Sequence, residues 1–300
     1  MYTILGATGN IGSVIVQRLL EKGEKVRVVG RHAAKLQPYV EKGAEAFIAD
    51  VKDSGALGKA LTGVRAAFLM MPPGLTSPDY AADQELESTA IATAAKNAAL
   101  PYAVNLSSIG GHAAAGTGPI LGAHQSEKKL NAVERLHVLH LRPAYFMENH
   151  LAAIEMIKMM GIFGGPLKPE LKIPMIATRD IGAYAAGRLL KLDFNGKQVQ
   201  ELLGERDLSM NEVTLTIGKV IAKPDLRYAQ FAYDQVEQAL TGTGVPPKTA
   251  AYMIELFQGI NSGIVTSVAP RSAANTTPTS FETFAKDVFA PAYLGRAAVA

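Results

Sequence analysis

The chain contains no cysteine. Disulfides, thiolate metal sites and cysteine nucleophiles are therefore excluded, and the zero count fits a reducing compartment. Strong charge of either sign is missing too. The net charge is +3 over 300 residues, and the basic residues are scattered, with no run longer than Lys128–Lys129. That is too little to make nucleic acid the partner. No apolar run approaches the roughly 20 residues that crossing a bilayer requires. The first residues enter a strand pattern at once (YTIL), which leaves no room for a cleavable signal, so a cytoplasmic location is expected. There is no G-x-S-x-G nucleophile elbow. His137 and His140 lie three apart in a strand-like run, so they point to opposite faces and cannot share a metal. The other histidines lack carboxylates at ligand spacing, and no metal is expected.

What is present is an apolar, patterned chain. Hydrophobic residues make up 48%, enough for a sizeable core. The length suits one large domain, or a large domain with a smaller appendage. Short apolar runs at 2–5, 25–29, 45–48, 66–70, 102–106 and 137–141 read as strands covered on both faces. Helical patterns at 11–22, 33–42, 54–61, 79–98 and 124–135 separate them. This alternation predicts an α/β fold with a doubly wound parallel sheet. The texture changes after Pro143, which suggests a binding domain over 1–145 and a smaller α+β region over 146–300. Parts of that region are expected to pack back on the sheet. In it, 146–160, 178–191, 233–241 and 247–260 read as helices, and 198–203 and 226–231 as strands. GIFGGP at 161–166 reads as a loop. Ser209 with Glu212 forms a capping box, as does Thr279 with Glu282 before a last helix. The Ser/Thr/Asn/Pro-rich segment 265–278 reads as a mobile loop. No internal repeat is visible.

The first strand runs straight into GATGNIG (6–12) and then a helix. This is a G-x-x-G-x-x-G variant of the dinucleotide fingerprint. Gly6 permits the tight turn, Gly9 admits a pyrophosphate to the backbone, and Gly12 lets helix and strand pack closely. Thr8, Asn10 and Ile11 complete the cradle at the positive end of the helix. An NAD site carries an acid at the end of the second strand, whereas this chain has Arg31, with Lys35 one turn later. Arg31 can hold a 2′-phosphate through charge-assisted hydrogen bonds, so NADP(H) is favoured over NAD(H). Asp50 and Val51 follow the third strand, where Asp50 either reaches the adenine amine or caps the next helix.

With GATGNIG, Asp50, LSSIGG (106–111), LRPAYFMEN (141–149) and LLGERDLSMNEV (202–213), the chain resembles the NmrA-like family over nearly its whole length. These proteins are atypical short-chain dehydrogenases/reductases with a Rossmann fold. The resemblance implies one of two functions. Some members reduce quinones or related unsaturated compounds with NADPH. Others bind NAD(P) without known turnover and act as redox-sensing regulators through a protein partner. The wider superfamily uses a Tyr-x-x-x-Lys helix, in which the Tyr moves a proton and the Lys holds the nicotinamide ribose. None of the ten tyrosines here has Lys four residues later. Mapped onto that motif, Lys128 takes the lysine place and His124 the tyrosine place.

Each of these candidates carries two readings. Lys128 is a ribose ligand or a solvated lysine, and His124 is a proton donor or a helix cap. Ser107 reaches the nicotinamide end and Ser108 a substrate, or both are turn caps. Met70, Met71 and Pro72, after the fourth strand, pack on the cofactor or in the core. Tyr145 is expected beside the nicotinamide, and Phe146 and Asn149 beside an apolar substrate. The leading reading is an NADPH-dependent reductase of a small apolar acceptor.

Overall fold

The computed structural model describes residues 1–296. Its strands are β1 (Tyr2–Leu5), β2 (Val26–Gly30), β3 (Glu45–Ile48), β4 (Ala66–Leu69), β5 (Tyr102–Leu106), β6 (His137–Pro143), β7 (Tyr145–Phe146), β8 (Phe163–Gly165), β9 (Ile173–Ile176), β10 (Lys197–Leu202), β11 (Asp207–Leu208) and β12 (Tyr228–Gln230). Seven of them form one parallel sheet in the order β10-β6-β5-β4-β1-β2-β3. The chain leaves β1 toward one edge and β4 toward the other. The crevice at their carboxyl ends is therefore the topological switch point, where doubly wound sheets bind ligands.

The helices are α1 (Asn10–Glu21), α2 (Ala33–Val40), α3 (Ser54–Leu61), α4 (Tyr80–Asn97), α5 (Ile120–Asn131), α6 (Ile154–Met160), α7 (Thr178–Lys191), α8 (Met210–Val220), α9 (Tyr233–Gly242), α10 (Pro247–Ser262), α11 (Phe281–Phe284) and α12 (Ala290–Tyr293). Alternation along each central strand feeds two cores. Ile4, Val28 and Phe68 pack with Ile15, Leu19, Ile181 and Leu189 of α1 and α7. Leu5, Val29 and Leu69 pack with Leu57, Ile91 and Leu130 of α3, α4 and α5. Each such side chain, fully buried, contributes about 1.5–3 kcal/mol. Gly182 allows the close crossing of α7 on α1, because a Cβ there would lie 2.8 Å from the Ile11 carbonyl oxygen.

The second half of the chain is built into the first. β10 pairs with β6, and α7 covers one face of the sheet. The rest forms a third core around Ile157, Val213, Ile217, Phe281 and Phe289, with two small sheets, β11-β9-β7 and β12-β8.

Several local expectations need correction. The stretch 146–160 is not one helix. It is β7, a 3-10 turn over Met147–Ala153, and then α6. Glu148 accounts for part of this, since it turns aside to cap α7 by accepting from the Thr178 amide (3.0 Å) and hydroxyl (2.6 Å). The 161–166 loop contains β8. The Ser209–Glu212 capping box is formed, but the second one is not. Ser280 caps α11, while Thr279 bonds Asp180 through its amide and hydroxyl. Helix α5 starts at Ile120, so His124 lies inside the helix and is not its cap. The cap of α3 is Asp53, which leaves Asp50 to a short turn that accepts from the Lys52 amide.

Candidate active site

Two cavities adjoin at the carboxyl end of the sheet, and Pro73 lines both. The first, of about 310 Å³, runs over the β1–β4 switch point and reaches β2 and β3. Gly6, Thr8, Arg31, Lys35, Asp50, Val51, Met70 and Pro72 line it. The second, of about 540 Å³, is mainly apolar and holds Ser108, Ile120, Ala123, Tyr145, Phe146 and Asn149.

The three glycines of the turn stand there for separate reasons. Gly6 has φ +65°, and a Cβ there would come within 2.6 Å of the Met70 sulfur. A Cβ on Gly12 would lie 2.2 Å from the Gly6 carbonyl oxygen, so only glycine lets α1 start against β1. Gly9 differs, since its Cβ would meet only the Gly6 oxygen, at an ordinary 3.4 Å, with φ −88°. Nothing in the protein requires glycine there, so the bare backbone serves what approaches from outside. Gly9 is also the N-cap of α1 and makes no side-chain cap bond. The first turn of α1 therefore keeps its amides and its partial positive charge for an anion. Arg31 is exposed beside this turn and has no ion-pair partner among the described residues.

The β5–α5 region departs from expectation. Lys128 lies on the exposed side of α5 and lines neither cavity. The reason is the helical period of about 100° per residue, which turns the neighbouring Glu127 inward in its place. Glu127 is buried and holds Arg142 through two bonds of 2.8 and 2.6 Å. The same carboxylate takes the Ser107 hydroxyl at 2.5 Å. Ser107 is thus committed to this cluster and lines neither cavity, whereas Ser108 faces the apolar one. His124 also lines neither cavity. Its Nδ1–H donates to the Gly111 carbonyl at 2.9 Å and fastens the β5–α5 loop. The residues α5 presents to the apolar cavity are Ile120 and Ala123, and neither has a proton to give. Met71 packs in the α3–α4 core.

Tyr145 is one of the polar groups among the apolar walls, with Ser108, Asn149 and Lys172. Burial pushes its phenol up to about 12, with a hydrogen bond from Asn149 opposing the shift, so it remains a donor at neutral pH. The segment 265–278 supplies the opposite wall through Val265, Thr266, Ser267, Ala269 and Arg271. It is irregular, as expected, but held down. Buried Glu201 accepts from the Ser267 hydroxyl and from the Val268 and Ala269 amides. Arg271 donates to the carbonyls of Leu203 and Gly204 and pairs with Asp207.

The sequence reading missed this strap, and also Lys52, Asp83 and Glu87 in the first cavity. A cue existed for the last two. Asp83 and Glu87 lie four apart in the first turns of α4, the end nearest the strand termini, and so share a face.

A nicotinamide-dinucleotide-binding oxidoreductase of the doubly wound class is what this sheet and its paired cavities define. The chain belongs to the NmrA-like family, whose model matches residues 2–285. It is 31% identical to the NAD(P)H azoreductase of Xenophilus azovorans over 262 residues, 86% of each chain. It is 26% identical to quinone oxidoreductase 2 of Escherichia coli over 269 residues, 88% of this chain and 89% of that one. The crystal structure of the Escherichia coli NADPH-dependent quinone oxidoreductase complexed with NADPH superposes with a TM-score of 0.82 at 22% identity, covering 96% of this chain and 100% of that one.

Proposed function

We propose that the protein reduces a small, flat, apolar acceptor, such as a quinone, an enone or an azo compound, at the expense of NADPH. The observation that carries this is the junction at Pro73. A polar cavity built for an anionic dinucleotide opens there into an apolar one large enough for an aromatic molecule. The names of the azoreductase and quinone oxidoreductase relatives support the same acceptor classes.

The open amides at the start of α1 bind the pyrophosphate, and Arg31 with Lys35 binds the 2′-phosphate. The dinucleotide, when bound, supplies a hydride ion. Phe146 and Ile120 exclude water and align the acceptor plane. The Tyr145 phenol donates a hydrogen bond to the acceptor's oxygen or nitrogen and stabilises charge as it develops. Ile120 and Ala123 hold no exchangeable proton, and any proton given by the Tyr145 phenol must be restored from outside, so the proton that completes reduction comes in the end from solvent. Quinones and enones tolerate this, because their reduced anions are protonated by water. A protein partner or a defined oligomer is not needed for this chemistry.

The test is NADPH oxidation against a panel of quinones, enones and azo dyes. Turnover of at least one class is expected, with Tyr145→Phe lowering kcat about tenfold. Tight NADPH binding with no turnover of any acceptor would replace the enzyme with a cofactor-reading regulator.

A further inference from the structure

The dinucleotide cavity contains a carboxyl group that the reading above leaves unused. Glu87, two turns into α4, lines this cavity and is only 6% exposed. Its Oε2 is out of solvent and has no hydrogen-bond partner among the described residues. Such an orphan is costly, and in a native protein it calls for a partner from elsewhere.

The nearby cations do not answer the need. Lys52, from the β3–α3 turn, is paired with Asp83 at 2.6 Å. Arg31, after β2, stands exposed where the 2′-phosphate is expected. Asp50 and Asp83 add negative charge, and Tyr80 of the same helix is a neutral phenol at ordinary pH. Burial is the largest influence on Glu87 and pushes its pKa up to about 7. Asp83 and Asp50 push the same way, and Lys52 and Arg31 oppose. Glu87 therefore keeps its proton below neutrality and gives it up as pH rises through about 7.

A protonated carboxyl offers one donor beside one acceptor. A phosphate would find a carboxylate repulsive, and the amides and Arg31 already serve phosphates. Adenine presents the matching edge, an amino donor beside a ring-nitrogen acceptor. We infer that Glu87, as the neutral acid, recognises the adenine of the dinucleotide, accepting from the 6-amino group and donating to the adjacent ring nitrogen. The inference rests on the NADP(H) reading of this cavity.

The test is calorimetric binding by the full chain, with no acceptor present. The two probes are 2′,5′-ADP and the same bisphosphate carrying unsubstituted purine in place of adenine. Both carry the same phosphates, so the ratio of their affinities cancels phosphate titration. Wild type should prefer adenine by about tenfold at every pH, because an oxygen of Glu87 accepts from the 6-amino group whether or not the carboxyl holds its proton. Glu87→Gln keeps a donor and an acceptor but cannot titrate. It should retain the preference, and the affinity of wild type for 2′,5′-ADP relative to that of Glu87→Gln should fall as pH rises through about 7, where wild type loses its donor to the ring nitrogen. Glu87→Leu should lose the preference at every pH. An unchanged preference in Glu87→Leu, or a ratio of wild-type to Glu87→Gln affinity for 2′,5′-ADP that does not change with pH, overturns the inference. If Glu87→Leu does not fold, the Gln profile alone decides. Failure of 2′,5′-ADP to bind wild type at any pH would instead remove the cofactor reading beneath it.

Discussion

Two glycines in one turn answer to different masters. Gly12 is required by the protein, because its Cβ would sit 2.2 Å from a backbone oxygen that cannot move aside. Gly12→Ala should therefore destabilise the fold by about 3 kcal/mol or more, read as a lowered midpoint in urea. Gly9 is free of such contact, so Gly9→Ala should keep wild-type stability and weaken NADPH binding, measured by fluorescence titration. Charges sort in the same way. Arg31→Ala should lower NADPH affinity by about tenfold or more, the worth of a charge-assisted bond, and leave NADH affinity unchanged. Lys128→Ala should change either affinity less than about twofold, as for an exposed residue away from the site. A large loss in Lys128→Ala would put the lysine back at the ribose.

At the scale of the element, α5 shows what was legible and what was not. Its existence followed from periodicity, and the sheet it covers followed from repeated strand–helix alternation. Its rotation did not, because a helix displaced by one residue turns by about 100°. A motif match cannot tell Lys128 from Glu127, yet one faces solvent and the other the β5–β6 ends. The glycine turn was legible because its chemistry is local to seven residues. The buried Ser107–Glu127–Arg142 cluster joins three elements and leaves no sequence spacing to read. Breaking it exposes its role. Glu127→Leu strands the Arg142 guanidinium, 8% exposed, and should cost about 3–5 kcal/mol. The double change Glu127→Leu with Arg142→Met should recover much of that in chemical denaturation. A second buried cluster predicts an acid limb. His140 bridges Asn105 (3.1 Å) and Asn131 (3.0 Å) as a neutral ring, and burial lowers its pKa from 6.5 to about 4. The unfolded chain binds the proton more readily, so the stability His140 contributes is complete above pH 6.5 and is lost as pH falls toward 4. Urea midpoints should decline across that window, and His140→Gln should flatten the decline.

At the scale of the whole molecule, the apolar cavity depends on residues far apart in the chain. β10 enters the central sheet beside β6, and its end carries Glu201, 4% exposed. That carboxylate gathers the Ser267 hydroxyl and two backbone amides of the 265–278 strap, so the sheet itself positions the far wall of the cavity. Composition alone reads the strap as a loose loop, because its anchors lie outside it, in β10 and at Leu203 and Gly204. The dinucleotide cavity draws on neither the strap nor β10. The two halves of the site should therefore separate on mutation. Glu201→Ala removes three bonds from the strap while sparing the glycine turn and Arg31. NADPH affinity should stay within about twofold of wild type, and acceptor KM should rise about tenfold, in proportion to lost positioning. Limited proteolysis should gain a cut within 265–278, where wild type resists. Loss of NADPH binding in step with the acceptor would show that the strap holds the whole crevice and not the acceptor wall alone.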